Sequence, residues 1–249
     1  MNPDISHKIK VISESHIYFG HQSVGENIVS GLNKIISGSG QNEFIVKELN
    51  NNNKILNSYY FVHSKIGNNG DPKGKFREFA KIVEILSRKN LELAMMKLCF
   101  VDINKNSNLE NIFNSYVNTI DSLQKRYPNL TIVHFTVPIK SQPTWIKKIK
   151  AILMNRDLDD PQDNIARDKY NKLILAKYPK ECIFDLAKAE STYPDDKREI
   201  IMVNGIPAYS MIKDFTDDGG HLNMKGQKVI SRELIEKIFE IITMKKSIN

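Results

Sequence analysis

The sequence predicts an α/β fold, a three-layer α/β/α sandwich around a central, mostly parallel sheet. Several apolar runs, such as LAMMKLCFVDI and LTIVHFTVP, are continuous rather than alternating. A strand apolar on both faces belongs to a parallel sheet covered by helices on both sides. These runs alternate with stretches of helical period, the pattern of βαβ units. With 249 residues and 41% hydrophobic content, the chain is long enough for one large core and short for two, so one domain over 1–249 is expected.

Taken in order, HIYFGH reads as a strand. VGENIVSGLNKII reads as a helix with Val24, Ile28, Leu32 and Ile35 or Ile36 on one face. EFIVKEL and ILNSYYFV look extended, with the Asn50–Asn53 run as a loop. FREFAKIVEILSRK is helical, LAMMKLCFVDI is a buried strand, and NLENIFNSYVNTIDSLQKRYP is a long amphipathic helix stopped near Pro128. LTIVHFTVP is a further buried strand. After a segment around Trp145, NIARDKYNKLILAKYP is helical and ECIFDLA extended. The polar region Ser191–Arg198 and VNGIPAYS read as a surface excursion beside the pocket, and MKGQKVISRELIEKIFEIITMKK as a terminal helix.

Lys and Arg outnumber Asp and Glu by 36 to 29, but the excess is spread along the chain. The densest basic stretch, Lys140–Lys150, holds four lysines and the single tryptophan. It reads as a solvated helix face anchored by Trp145, the other reading being an anionic-glycan or nucleic-acid surface. No zinc-finger spacing, RNA-binding aromatic signature or phosphate loop accompanies it, so no nucleic-acid partner is expected. Cys99 and Cys182 lie in apolar runs and read as core thiols rather than a disulfide. No run approaches the ~20 apolar residues of a membrane span. The N-terminal MNPDISHKIK lacks the apolar stretch of a signal peptide, which fits a cytoplasmic protein or an exported one already trimmed of its leader. The oligomeric state leaves no mark in the sequence.

The chemistry concentrates at two places. In HIYFGHQSVGENIV an apolar run breaks at a strand-to-helix junction, where Ser23 is lifted clear of the backbone and the following amides point at whatever it attacks. A serine hydroxyl needs a base, and the base needs an orienting partner. FTDDGGHLNMKGQ supplies both. Two glycines separate Asp218 from His221, a turn tight enough for the carboxylate to reach the imidazole, and a helix follows at once. His7, His16, His21, His63 and His134 all read as packed or surface histidines, the other reading for His21 and His63 being that they line the pocket. Ser30 is a second, weaker nucleophile candidate.

This order of residues, with a glycine-bearing loop between the two sites, resembles the SGNH or GDSL-type hydrolase superfamily. The resemblance runs from about Ser15 to Ile242, and its most specific piece is DGGHLNMKG. LTIVHFTVP and the Tyr170–Asn171 helix leading to Asp185 fit it too. The resemblance implies a flavodoxin-like sandwich, a Ser23–His221–Asp218 triad and no cofactor or metal. It also implies an oxyanion hole made by the Ser23 amide, a glycine amide and an asparagine side chain. Gly70 best matches the glycine position, with Gly67 second, and Gln22 stands beside the serine as a further substrate-binding candidate. The sequence departs from the family in two places. His21-Gln22-Ser23 stands where Gly-Asp-Ser is usual, and Val101 stands where the asparagine would fall, leaving Asn104, Asn68 or Asn69 to substitute. Asp102, as an ion, would repel an oxyanion and reads as an acceptor for loop amides.

The functions implied are cleavage of an O-acyl ester, most naturally acetyl on a carbohydrate, or transfer of that acyl group to a glycan hydroxyl. The partner in either case is a small-molecule or glycan acyl ester. The competing readings are a glycan-binding domain that keeps the fold without the chemistry, and metal-assisted hydrolysis at Asp217, Asp218 and His221, which lacks a second histidine at ligand spacing.

Overall fold

The computed structural model describes residues 3–40, 44–49, 59–142 and 161–248. Six strands form one parallel sheet: β1 (His16–His21), β2 (Lys47–Glu48), β3 (Tyr60–Lys65), β4 (Leu93–Met96), β5 (Thr131–Phe135) and β6 (Ile183–Phe184), in the order β2-β3-β1-β4-β5-β6. Residues alternate between two cores along each strand. Ile17 and Phe19 point to the face covered by α1 (Pro3–Ser13), α2 (Ser23–Gly38) and α7 (Met224–Ile248). Tyr18 points to the face covered by α3 (Pro72–Ser87), α4 (Leu109–Arg126) and α5 (Gln162–Lys177). These are the three layers the apolar runs predict.

Several elements are shorter than those runs. From LAMMKLCFVDI only Leu93–Met96 pairs in the sheet, because Asp102 is buried and pulls the rest into a turn. Its carboxylate accepts the Cys99 amide at 2.6 Å and the Lys75 ammonium at 2.5 Å. ECIFDLA contributes two strand residues before Asp185 caps a short helix, α6 (Leu186–Ser191), by accepting from the Lys188 amide. EFIVKEL contributes only Lys47–Glu48, and the extended run expected at ILNSYYFV enters the sheet at Tyr60. The Asn50–Asn53 loop and the Trp145 segment lie outside the described residues. The surface excursion is an antiparallel hairpin of β7 (Ile200–Val203) and β8 (Ile206–Tyr209), turning through Asn204 and Gly205 at φ 50° and 80°. Cys99 is buried, Cys182 half-buried, and both are free thiols. Among the described residues no helix is long and apolar enough to cross a membrane.

The strand order fixes where a site belongs. From β1 the chain crosses through α2 on one face toward β2 at the sheet edge; from β4 it crosses through α4 on the opposite face to β5. The carboxyl ends of β1 and β4 therefore flank a crevice at a topological switch point, where open α/β sheets bind ligands.

Candidate active site

Ser23 opens α2 immediately after β1, at that crevice, and is half-buried. Gln22 is the N-cap, but its side chain does not cap the helix. Its amide donates instead to the carbonyls of Ile66 at 3.0 Å and Gly67 at 2.7 Å, tying the loop after β3 to the residue before the serine. The first helical N–H groups have no intrahelical acceptor, and among the described residues those of Ser23 and Val24 meet none elsewhere. They form a small donor pair beside the hydroxyl. Ser30 lies seven residues further along α2, about 10 Å up the helix axis, away from this end.

His221 sits in the turn before α7, held by Asp218. One carboxylate oxygen lies 2.6 Å from His221 Nδ1; the other accepts the backbone N–H groups of Gly220 and His221, both at 2.8 Å, and the Thr216 hydroxyl at 3.2 Å. Partial burial pushes the Asp218 carboxyl up, but these donors outweigh it and hold the group well below the usual carboxylate range. Gly219, at φ 99°, makes the tight geometry possible, and its carbonyl accepts the Ser141 amide at 2.9 Å. With the carboxylate taking the proton on Nδ1, the imidazole presents a lone pair on Nε2. Asp217 accepts from the Asn223 side chain at 3.1 Å, bracing the same turn.

Two further residues hold the His221 turn, and the first of them joins it to the helix that carries Ser23. Asn27, four positions after Ser23 and so on the same helix face, accepts the Leu222 amide at 3.1 Å, which docks the His221 turn one helical turn from the serine. Phe100 packs edge-on against the His221 ring at 5.7 Å and carries the Lys140 ammonium 4.8 Å above its own ring. The i, i+4 spacing from Ser23 is the only trace of Asn27's role in the sequence; Phe100 leaves none. No hydrogen bond joins the Ser23 hydroxyl to His221 in this structure, a bond that often tightens only around substrate.

The two expected glycine amides are engaged within the chain. The Gly70 amide donates to Asp102 at 2.8 Å, and the Gly67 amide to Glu78 at 2.7 Å. Asp102 thus acts as the loop-amide acceptor expected of it. Asn104 accepts from the Asn106 amide at 2.9 Å and lines a groove with α5 and the β7–β8 hairpin. Asn69 differs. Its oxygen takes the buried Lys75 ammonium at 3.2 Å, and since an ammonium only donates, the Asn69 amino group is left facing away.

No protein-family model and no curated protein matches the chain. Solved structures do. The periplasmic domain of a lipopolysaccharide acetyltransferase from Salmonella ser. Paratyphi A aligns over 96% of this chain and 89% of its own, at 14% identity and a TM-score of 0.51. A Streptococcus pneumonia chain described as a platelet activating factor aligns over 94% and 90%, at 14% identity and 0.49. A lipolytic protein assigned to the G-D-S-L family from Desulfitobacterium hafniense aligns over 90% and 99%, at 9% identity and 0.45. At these identities the likeness is one of fold, and the chain shares its three-layer α/β/α sandwich with the acetyltransferase domain.

Proposed function

We propose that the protein is a serine-dependent enzyme that moves an acyl group from an ester oxygen, with Ser23 as nucleophile, His221 as general base and acid, and Asp218 as the orienting carboxylate. The observation that carries this reading is the Asp218–His221 pair, docked through Asn27 one helical turn from Ser23 at the switch point of the sheet. Ser23 Oγ attacks the ester carbonyl carbon while its proton passes to His221 Nε2. The tetrahedral intermediate then expels the alcohol, which receives that proton, leaving an acyl-serine. Water, deprotonated by His221, attacks the acyl carbon, releases the acid and restores the hydroxyl.

The oxyanion falls to the amides of Ser23 and Val24 and the amino group of Asn69, each such donor contributing about 3 kcal/mol in the transition state. Gly70 and Gly67 join only if substrate displaces Asp102 and Glu78 from their amides. The fold shared with an acetyltransferase of lipopolysaccharide makes acetyl on a saccharide the first substrate class to test, with transfer to a glycan hydroxyl beside hydrolysis. The commitment of those two glycine amides favours one further reading, a glycan-binding domain without turnover.

Fluorophosphonate labelling followed by p-nitrophenyl acetate turnover tests the proposal. Covalent labelling of wild type, its loss in Ser23→Ala, and a rate drop of about 10⁵-fold or more are expected. Faster turnover on adding an oligosaccharide acceptor marks transfer. A folded wild-type protein inert to both reagents overturns the enzymatic reading.

A further inference from the structure

Behind Ser23 lies a second constellation that the acyl-transfer reading does not use. His21 ends β1 and His63 lies on the neighbouring β3, their rings stacked with centroids 5.0 Å apart and 20° between planes. His21 Nε2 and His63 Nδ1 face each other at 2.9 Å. Glu26, on the first turn of α2, brings a carboxylate oxygen so that the three ligand atoms lie within 4.8 Å of one another.

We propose that His21, His63 and Glu26 bind one divalent transition-metal ion of the zinc class, at a site separate from the Ser23–His221 pair. The donor set is two imidazole nitrogens and one carboxylate oxygen, with a coordination position left for water, which is the set that zinc sites use. The spacing suits it. Metal–nitrogen bonds of about 2.0–2.1 Å separate two nitrogens by about 2.9 Å at a right angle and about 3.4 Å at the tetrahedral angle, so the rings need move little.

The surroundings are those of a ligand pair rather than of two histidines packed by chance. His21 Nδ1 lies 3.1 Å from the Gln22 carbonyl, which takes the ring proton and leaves Nε2 as the lone-pair nitrogen. A metal-bound histidine is held by this kind of outer contact. Gly25 closes α2 over the ring so tightly that a Cβ there would lie 2.2 Å from that of His21. Glu26 and Glu48 face His63 and offset the positive charge of Lys65, while the exposed Glu26 leaves a route in from solvent. In the metal-free chain the nitrogens satisfy each other by one donating to the other; an ion replaces that proton.

The inference stands whether or not Ser23 is a nucleophile, so it is tested without an activity assay. Metal-stripped full-length protein is titrated with Zn²⁺ by calorimetry and with Co²⁺ by visible absorption. One ion per chain, a raised melting temperature and a tetrahedral or five-coordinate cobalt spectrum are expected. Glu26→Gln should weaken binding at least about 10-fold, and His63→Asn should abolish it. Asp217→Asn, in the other carboxylate–histidine cluster, should leave it unchanged. The proposal fails if wild type takes up no ion at micromolar concentration. It fails equally if uptake survives in Glu26→Gln, whose exposed side chain keeps that variant folded should His63→Asn not fold.

Discussion

The two histidine pairs of this molecule put the same ring in opposite surroundings. His221 stands with 43% of its side chain exposed, its Nδ1 on a carboxylate that is itself held ionised by backbone donors. His21 and His63 are 0% and 6% exposed, and their near neighbours are each other, a backbone carbonyl and the Glu26 carboxylate, which accepts no hydrogen bond from either ring. A base in an acyl transfer must accept a proton, so it needs an anion behind it and access in front. A pair that burial holds neutral cannot do that work, and what it can offer is lone pairs. The distinction comes from location. The first ring is carried on a loop between a surface turn and α7, the second pair on adjacent strands under the start of α2.

The sharpest way to test the first half of that contrast is Asp218→Asn. The amide keeps one acceptor for the Gly220 and His221 backbone donors, but presents its amino group or a weak acceptor to the ring, so the tautomer with its lone pair on Nε2 is no longer enforced. Turnover should fall about 10³–10⁴-fold, while fluorophosphonate labelling slows in parallel and the unfolding midpoint barely moves, since the turn is exposed. A wild-type rate in this variant would assign the orientation of His221 to the backbone instead.

Two glycines extend the comparison to the backbone, with a smaller effect. At Gly25 a methyl group would sit 2.2 Å from the Cβ and 2.3 Å from the Cγ of His21, so the first turn of α2 would have to lift off the strand end. Gly25→Ala should cost about 3 kcal/mol in denaturant unfolding. At Gly219 the space is open, with the Ser141 hydroxyl at 3.4 Å, and only the positive φ resists a side chain. Gly219→Ala should cost about 1 kcal/mol. Equal costs would mean that α2 does not close on the buried pair as described.

The layers were legible because a continuous apolar strand needs cover on both faces, and β1, β4 and β5 advertise that need. Strand ends were not. The run through Cys99 and Phe100 is as apolar as the strand before it, and only the buried Lys75–Asp102 pair, which joins two distant elements, turns it aside. At the site, Asp218 and His221 could be read because their partnership is local, three residues across a turn. Asn27 and Leu222 could not, being 195 positions apart and joined by a single hydrogen bond. The occupation of the Gly70 and Gly67 amides was hidden for the same reason: a sequence shows which donors exist, not which acceptors the fold has already brought to them.

The buried histidines can also be read directly, through pH. Burial lowers His21 and His134 to about 3 and lowers His63 as well, against an unfolded value of about 6.5. As pH falls below 6.5 the unfolded chain takes up protons that the native rings refuse, so stability drops, by up to about 1.4 kcal/mol per pH unit for each ring. Glu190 runs the other way. Burial raises its carboxyl to about 8, so between its unfolded value of about 4.5 and that point the native state holds a proton the unfolded chain has lost, and acid favours folding. Glu233 is raised by burial in the same sense, and three rings against two carboxyls leave a net loss on acidification from pH 6.5 to 4.5. Denaturant midpoints of metal-stripped protein across that window should therefore fall with pH, more steeply in Glu190→Gln and less steeply in His63→Asn. Asp218→Asn should leave the slope alone, because the stability from the depressed carboxyl of Asp218 is constant above about pH 4 and is lost only below it. A midpoint that stays flat from pH 6.5 to 4.5 in both wild type and Glu190→Gln would mean that water reaches the His21–His63 pair, and would erase the contrast between the two sites.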